Sequence, residues 1–192
     1  MKRISLSWIL IILMTTPALA QYEEKDFQVK PIIGLWFGPV APVPGTELSP
    51  ILNAALGGGA FFRLNIPSDI FQMETGASIY QMQSLYTAQL TFLPIYGALV
   101  FKLPVEFPIS FFFKGGAGSG FLQNKPEGNS GFLPIFYGGF ESSFPAGKVV
   151  NVGVRFDYYF VYETWMKPEK NYKLINGHFI SIGVMVNFNT NP

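Results

Sequence analysis

The chain has 192 residues, of which 49% are hydrophobic and 13% are charged, and its formal net charge is +1. The lack of a basic excess argues against nucleic-acid binding, and the absence of cysteine excludes disulfides and thiolate metal sites. About 25% of residues are charged in ordinary soluble domains, so a soluble protein of this composition would expose much apolar surface to water. A protein that faces lipid instead needs an apolar outer surface, which this composition can supply.

The first twenty residues have the three parts of a secretory signal peptide. Lys2 and Arg3 form a basic start, residues 8–14 form a short apolar core, and residues 18–20 (Ala-Leu-Ala) form a cleavage site. The core is shorter than the roughly 20 residues that a membrane-spanning helix needs. An uncleaved N-terminal anchor is the alternative. Cleavage would remove two of the 13 basic residues and leave 11 basic and 12 acidic residues, a net charge of −1, in residues 21–192.

After a polar lead-in over residues 21–30, which we expect to be periplasmic, the chain alternates between apolar and small or polar residues. Alternation at period two is typical of a strand with two different faces. It predicts strands over residues 31–40, 55–66, 70–82, 90–103, 109–122, 132–144, 148–162 and 177–188. Pro94 falls inside the fourth of these strands and indicates a bulge or an irregular start.

The connections between the predicted strands alternate in length. The short ones contain proline, whereas the long polar ones cover residues 41–54, 83–88, 123–131 and 163–176. Short turns at one rim and long loops at the other are typical of outer-membrane barrels. The pattern therefore predicts an all-β, eight-stranded, antiparallel up-and-down transmembrane β-barrel over residues 31–192, with both termini at the short-turn rim.

The last predicted strand has the most regular alternation. Its apolar face consists of Ile180, Ile182, Val184, Val186 and Phe188. The opposite face begins with Phe179 and includes small or polar residues. A strand with an apolar outer face and a small or polar inner face is the unit of a transmembrane barrel.

In the predicted strands with the cleaner alternation, six ionisable residues have the same parity as the glycines. They are Arg63, Glu74, Lys114, Glu141, Arg155 and Asp157. A basic side chain that faces lipid at mid-membrane costs about 2–4 kcal/mol, so we expect all six inside, with basic and acidic residues paired. The interior of an eight-stranded barrel is just wide enough for side chains to fill it. We therefore expect a packed polar plug. A narrow polar permeation path is the alternative.

The aromatic residues divide into two groups along the predicted strands, as expected for rings at the two membrane interfaces. The group near the short-turn rim is Phe61, Phe71, Phe101, Phe107, Phe140, Phe144 and Phe188. The group near the long-loop rim is Trp36, Phe37, Tyr80, Tyr86, Phe92, Phe132, Tyr162 and Trp165.

We find no pattern that indicates catalysis, a cofactor or a metal site. The one histidine, His178, lacks the partners of a usual zinc site, and we expect it at the outer end of the last strand near the headgroups. Lipid A deacylases use a lipid-facing Ser–His pair, but here Ser181 has the opposite parity. Lys114 and the glycines after it lack the order of a phosphate loop and a following helix.

Several features resemble the small eight-stranded outer-membrane proteins, the OmpA/OmpX/OmpW-like β-barrel domain group. They are the signal peptide, the glycine-rich strand at 115–121, the Leu-Pro-Ile sequences at 93–95 and 133–135, and the closing strand at 179–188. The resemblance implies a monomeric, non-enzymatic protein without a cofactor that contacts outer-membrane lipid and lipopolysaccharide. It also implies insertion by the barrel-assembly machinery, with no nucleic-acid partner.

Three functions are compatible with these residues. The first is a structural or surface-contact role through long extracellular loops. The second is a narrow or lateral channel for small or hydrophobic solutes, as in OmpW-like proteins. The third is a secreted, lipocalin-like barrel that binds a lipid.

Overall fold

The protein is a closed barrel of antiparallel strands. The computed structural model describes residues 31–65, 70–84, 89–105, 107–125, 130–163 and 176–189. The eight strands are β1 (Ile32–Pro42), β2 (Ala55–Asn65), β3 (Phe71–Gln83), β4 (Gln89–Lys102), β5 (Ser110–Lys125), β6 (Ser130–Pro145), β7 (Val150–Val161) and β8 (Gly177–Asn189). The prediction of an eight-stranded up-and-down barrel is therefore confirmed. The predicted signal peptide and lead-in lie outside the described residues.

The barrel closes through the pairing of β1 with β8. The strands are staggered around the barrel. If one starts at Ile32 and moves from each residue to its register partner on the next strand, one returns to β1 at Pro42, ten positions further along. Such a stagger requires strands that tilt from the barrel axis by about 35–45°. We call the rim that holds connections 43–54, 84–88, 126–129 and 162–176 the upper rim, and the opposite rim the lower rim.

The two faces of the strands differ in chemistry, as their alternation predicted. Exposed apolar side chains occur on every strand, including Leu35, Leu56, Met73, Leu99, Phe113, Phe136, Val154 and Val184. Among the outward positions of the described strands there is no Asp, Glu or Arg, and the one Lys is Lys125 at the end of β5. The outer wall is therefore almost free of charge.

The hairpin of β5 and β6 is longer than predicted. Gln123 pairs with Ser130, so only residues 126–129 separate the two strands. Likewise, Gln83 pairs with Gln89 at the ends of β3 and β4. The predicted alternation of long and short connections is wrong at these two places, because backbone pairing continues through polar residues beyond the apolar wall.

Pro94 does not produce the predicted bulge. The register of β4 with β5 continues unchanged through the pair Pro94 and Gly120, and the register of β3 with β4 is the same on both sides of it. Because proline has no N–H to donate, it removes a hydrogen bond without shifting the strand.

The two predicted aromatic rings are only partly present on the outer wall. The exposed members are Phe37, Phe71, Phe107, Phe132, Phe144, Tyr162 and Phe188. The prediction is wrong for members that point inward and are buried, namely Trp36, Phe61, Tyr80 and Phe92. Their parity along the strand decides the face, irrespective of how close they lie to a rim. Tyr86 and Trp165 lie outside the described residues.

No helix in the described part of the chain is long and apolar enough to cross a membrane.

Candidate functional site

Six charged side chains meet inside the barrel between the lower rim and mid-height. They are Arg63 on β2, Glu74 on β3, Lys114 on β5, Glu141 on β6, and Arg155 and Asp157 on β7, and none is more than 6% exposed. We call this group the charge cluster. Its three basic and three acidic side chains balance, so the cluster carries no net formal charge.

Arg63 joins two walls of the barrel. Its Nη2 atom donates to Glu74 Oε2 at 2.6 Å and to Glu141 Oε2 at 2.7 Å. Further bonds run from Nε to Glu74 Oε2 (3.0 Å) and from Nη1 to Glu141 Oε1 (3.2 Å). Glu74 is the register partner of Arg63 on the adjacent strand, whereas Glu141 reaches it from the far side of the barrel.

Lys114 connects the same two carboxylates. Its Nζ atom lies 2.5 Å from Glu141 Oε2 and 3.4 Å from Glu74 Oε2. Each glutamate is thus held by at least two cations. Buried charges are tolerated when they are paired and hydrogen-bonded in this way, whereas a buried charge without a partner is strongly destabilising.

Arg155 links the cluster to two tyrosines above it. Its Nε donates to Asp157 Oδ2 at 2.6 Å, and its Nη1 lies 3.2 Å from Glu74 Oε1. Nη2 donates to the hydroxyls of Tyr137, at 2.9 Å, and Tyr96. These hydroxyls in turn donate to Asp157 Oδ1 (2.6 Å) and Glu74 Oε1 (3.0 Å), respectively. The charges and the tyrosines therefore form one continuous network.

Aromatic rings surround both guanidinium groups. The Cζ atom of Arg155 lies 5.0 Å from the ring centre of Phe61 and 5.6 Å from that of Trp36. Arg63 Cζ lies 5.0 Å from the ring centres of Phe61 and Phe112. Such cation–π contacts gain strength where water is excluded. Phe61, predicted for the outer wall, is instead a packing partner of the cluster.

Glycines on the inward face leave room for the long side chains. A Cβ atom at Gly76 would lie 2.3 Å from the hydroxyl of Tyr96. A Cβ atom at Gly139 would lie 2.8 Å from Asp157 Oδ1. The shared parity of glycines and charges in the sequence thus has a steric cause.

The interior above the charge cluster is aromatic and aliphatic, which the prediction of a polar plug did not include. Tyr80, Phe92, Tyr159 and Phe179 are completely buried. Phe92 stacks on Phe179 with ring centres 5.0 Å apart, and the Tyr80 hydroxyl donates to the Tyr159 hydroxyl at 3.4 Å. The alternation along each strand would have predicted that these four rings point inward, because each has the parity of the inward face of its strand.

The connection between β1 and β2 covers the upper end of this aromatic layer. Leu52 is 9% exposed, and Leu48 packs against the same buried cluster. Leu52 forms an isolated β-bridge with Ser84, and the backbone N–H of Val43 donates to the carbonyl of His178 at 2.9 Å. The interior is therefore obstructed at three levels: by the charge cluster, by the aromatic layer and by this connection.

Solved barrels share this arrangement of strands. Neisserial surface protein A matches with a TM-score of 0.59 and 8% identity, over 83% of this chain and 96% of that one. OprG from Pseudomonas aeruginosa matches with a TM-score of 0.54 and 11% identity, over 85% and 96% of the two chains. Ail of Yersinia pestis matches with a TM-score of 0.50 and 11% identity, over 84% and 97%. The fold is that of the small eight-stranded outer-membrane β-barrels.

At these identities the likeness concerns the fold alone. No protein-family model and no curated protein matches the sequence.

The closing strand of this outer-membrane-type barrel is β8. Phe179 points inward, whereas Ile182, Val184 and Phe188 are exposed on the outer wall. Ile180 and Val186 share this outward face and are half-buried. These side chains lie between β7 and β1, with which β8 pairs along nearly its whole length.

His178 points outward near the upper rim. Its Nδ1 atom lies 2.8 Å from the hydroxyl of Tyr158, and its ring centre lies 4.9 Å from that of Phe160. Ser181 is 2% exposed and lies on the inward face. His178 and Ser181 are thus on opposite faces of β8, so they do not form a Ser–His pair.

The charge cluster has the chemistry of a structural core. Each of its carboxylates is within ion-pair distance of at least one cation. The described residues contain no group of three or more His, Cys, Asp or Glu side chains that could hold a metal ion. The glycine-rich segment after Lys114 lies within β5 and is followed by another strand, so its setting is not that of a phosphate loop.

Proposed function

We propose that the protein is an integral outer-membrane β-barrel with a closed interior, whose upper-rim connections serve a non-enzymatic structural or surface-contact role. The observation that carries this proposal is the contrast between the two faces of the strands. The outward face bears exposed apolar residues on every strand, and the inward face bears the neutral charge cluster. A closed barrel also satisfies the backbone hydrogen bonds that lipid cannot provide.

The outer wall argues against a secreted, lipocalin-like protein. Leu35 and Val184 are 55% and 65% exposed, and equivalent apolar residues surround the barrel. A soluble protein would present this surface to water at a large cost in free energy. A lipocalin-like barrel would also need room for a ligand where the charge cluster and Phe92 are packed.

The packed interior argues against a channel along the barrel axis. A solute would have to separate Arg63 from Glu141 and then displace the aromatic layer. The contact role is supported instead by the length of the 43–54 and 162–176 connections at the upper rim. One similar structure bears the name attachment invasion locus protein, which is in keeping with such a role.

Fractionation of cells that express the full chain tests the location. We expect the protein in the outer-membrane fraction, with a gel mobility that changes when the sample is boiled in detergent. Recovery in the soluble fraction without detergent, or a mobility that boiling does not change, would contradict the proposal.

Orientation can be tested because the chain contains no cysteine. Ser49→Cys lies in the upper-rim connection, and Gly147→Cys lies in a lower-rim turn. A membrane-impermeant maleimide applied to intact cells should label the first variant, and the second only after the outer membrane is opened. The reverse labelling pattern would contradict a role of the upper rim at the cell surface.

A further inference from the structure

A small niche lies inside the barrel over Gly59 of β2. Trp36 on β1 and Ser78 on β3 are the register partners of Gly59, so the three residues form one row across neighbouring strands. The side chains of Trp36 and Ser78 point inward, and each residue is only 4% exposed. Because Gly59 lacks a side chain, no side-chain atom of its own separates its two neighbours.

The polar atoms of the two neighbouring side chains converge on this niche. A Cβ atom at Gly59 would lie 2.7 Å from Trp36 Nε1 and 2.6 Å from Ser78 Oγ. Both atoms are buried, and neither has a hydrogen-bond partner within the described part of the chain. One small group above Gly59 could therefore reach both of them, although they do not bond to each other.

The chemistry of the niche decides what kind of group fits it. Buried polar groups in folded proteins are nearly always hydrogen-bonded, either to protein or to ordered water. The indole N–H of Trp36 can only donate, whereas the hydroxyl of Ser78 can donate or accept. The carbonyl oxygen of Ala77 also lies beside the niche, and a backbone carbonyl can accept two hydrogen bonds. The niche thus requires an occupant that accepts from the indole and can donate to the carbonyl.

We propose that one structural water molecule is bound over Gly59. It accepts a hydrogen bond from the Trp36 indole, shares one with the Ser78 hydroxyl and donates one to the Ala77 carbonyl. Water is the occupant because buried water molecules typically have about three polar partners, which is the number that the niche offers. An anion such as chloride would accept from the indole and the hydroxyl, but it cannot donate to the carbonyl.

The bound water connects β1 to the polar interior. No member of the charge cluster lies on β1, but the ring of Trp36 lies 5.6 Å from Arg155 Cζ, and its centre lies 5.8 Å from that of the Tyr80 ring. Trp36 therefore lies between the charge cluster and the aromatic layer. A water-mediated link to β3 holds the indole in this position. The site goes beyond the proposed function, because it depends on the packing of the interior and not on where the barrel is located.

Nuclear magnetic resonance of the indole group tests the water directly. The barrel would carry isotope-labelled tryptophan and be refolded into detergent micelles. Trp36→Phe identifies the Trp36 signal as the one that disappears. A water-selective rotating-frame experiment separates dipolar transfer from chemical exchange by the sign of the cross-peak. We expect a dipolar cross-peak between water and the indole N–H proton of Trp36, although this side chain is buried.

Ser78→Ala removes one partner of the water and should weaken this cross-peak several-fold. Ser143→Ala is the matched control, because Ser143 is an inward, buried serine on β6, and it should leave the cross-peak unchanged. Absence of the cross-peak in the parent protein would overturn the proposal, and that result does not depend on whether either variant folds. A cross-peak that Ser78→Ala leaves at full strength would also overturn it.

Exchange of the salt separates water from an anion. The indole signal of the parent protein should stay in place when chloride is replaced by bromide in the buffer. A signal that moves with the halide would identify an anion over Gly59 and contradict the bound water. None of these outcomes depends on the outer-membrane location, which the fractionation experiment tests separately.

Discussion

Arg63 and Glu141 are joined by hydrogen bonds of 3.2 and 2.7 Å although β2 and β6, which carry them, are not neighbours. Between these strands lie β3, β4 and β5 in one direction and β7, β8 and β1 in the other. The contact therefore crosses the interior at its full width. A side-chain link of this kind fixes the shape of the barrel and closes it at the same level.

Loss of one carboxylate from the cluster should destabilise the barrel strongly. Glu141→Ala leaves Arg63 and Lys114 with one fewer anionic partner inside the protein. Breaking a buried ion pair from one side costs about 3–5 kcal/mol. The measurement is the free energy of unfolding in urea, with the protein refolded into lipid vesicles. Lys148→Ala, at an exposed turn position, is the control and should leave stability unchanged. Equal free energies of unfolding for the two variants would show that the charge cluster does not stabilise the barrel.

A charge on the outer wall should oppose membrane insertion. Val154 is 50% exposed on β7, and Val154→Arg should cost about 2–4 kcal/mol if it faces the bilayer near mid-depth. Val149→Arg, in the adjacent turn, should cost about 0–1 kcal/mol because an interfacial arginine reaches the headgroups. The yield of folded protein in vesicles checks both. Similar yields would contradict the assignment of this wall to lipid.

Two neighbouring glycines of β5 should respond differently to alanine. A Cβ atom at Gly116 would lie 2.0 Å from the carbonyl oxygen of Gly97, whereas a Cβ atom at Gly115 would meet nothing within 4 Å. Gly116→Ala should therefore destabilise by about 1–3 kcal/mol through overpacking, and Gly115→Ala should not destabilise. Urea titration of both variants gives the comparison. A destabilising Gly115→Ala would mean that the inward and outward faces of β5 are reversed.

The connection over the upper rim should loosen when its buried leucine becomes polar. Leu52 is 9% exposed and Ile51 is 36% exposed. Leu52→Asn should speed proteolysis after Glu47 by a glutamate-specific protease, because the apolar contact that holds the connection is lost. Ile51→Asn is the matched control and should change the rate little. Mass spectrometry of the fragments gives both cleavage rates. The free energy of unfolding in urea should stay near that of the parent protein in both variants. Equal cleavage rates in the two variants would mean that Leu52 does not hold the connection in place.

Much of the fold follows from local alternation. The parity of Arg155 against Val154, or of Ser181 against Ile182, assigns each residue to a face because a strand has only two faces. The same rule applied to Tyr80 or Phe92 would have placed these rings inside. Their nearness to a rim suggested the outer wall, and that interpretation was wrong.

Long-range geometry was less accessible from the sequence. The ten-residue stagger of the strands decides which basic residue contacts which carboxylate. Arg155 is the register partner of Glu141 on the adjacent strand, yet Glu141 also forms an ion pair with Arg63 across the barrel. The polar hairpin ends at Gln123 and Ser130 were also missed, because pairing beyond the apolar wall relies on backbone hydrogen bonds alone. Leu52 contacts the core only because its connection folds over the rim, and alternation in the strands carries no signal for that.

Ion conductance across a planar bilayer tests the closed, charge-paired interior most directly. The purified, refolded barrel should insert without producing steady, stepwise currents, because the charge cluster, the aromatic layer and the connection over the upper rim block the axis at three levels. Discrete current steps whose number grows with the amount of inserted, folded protein would contradict a closed interior.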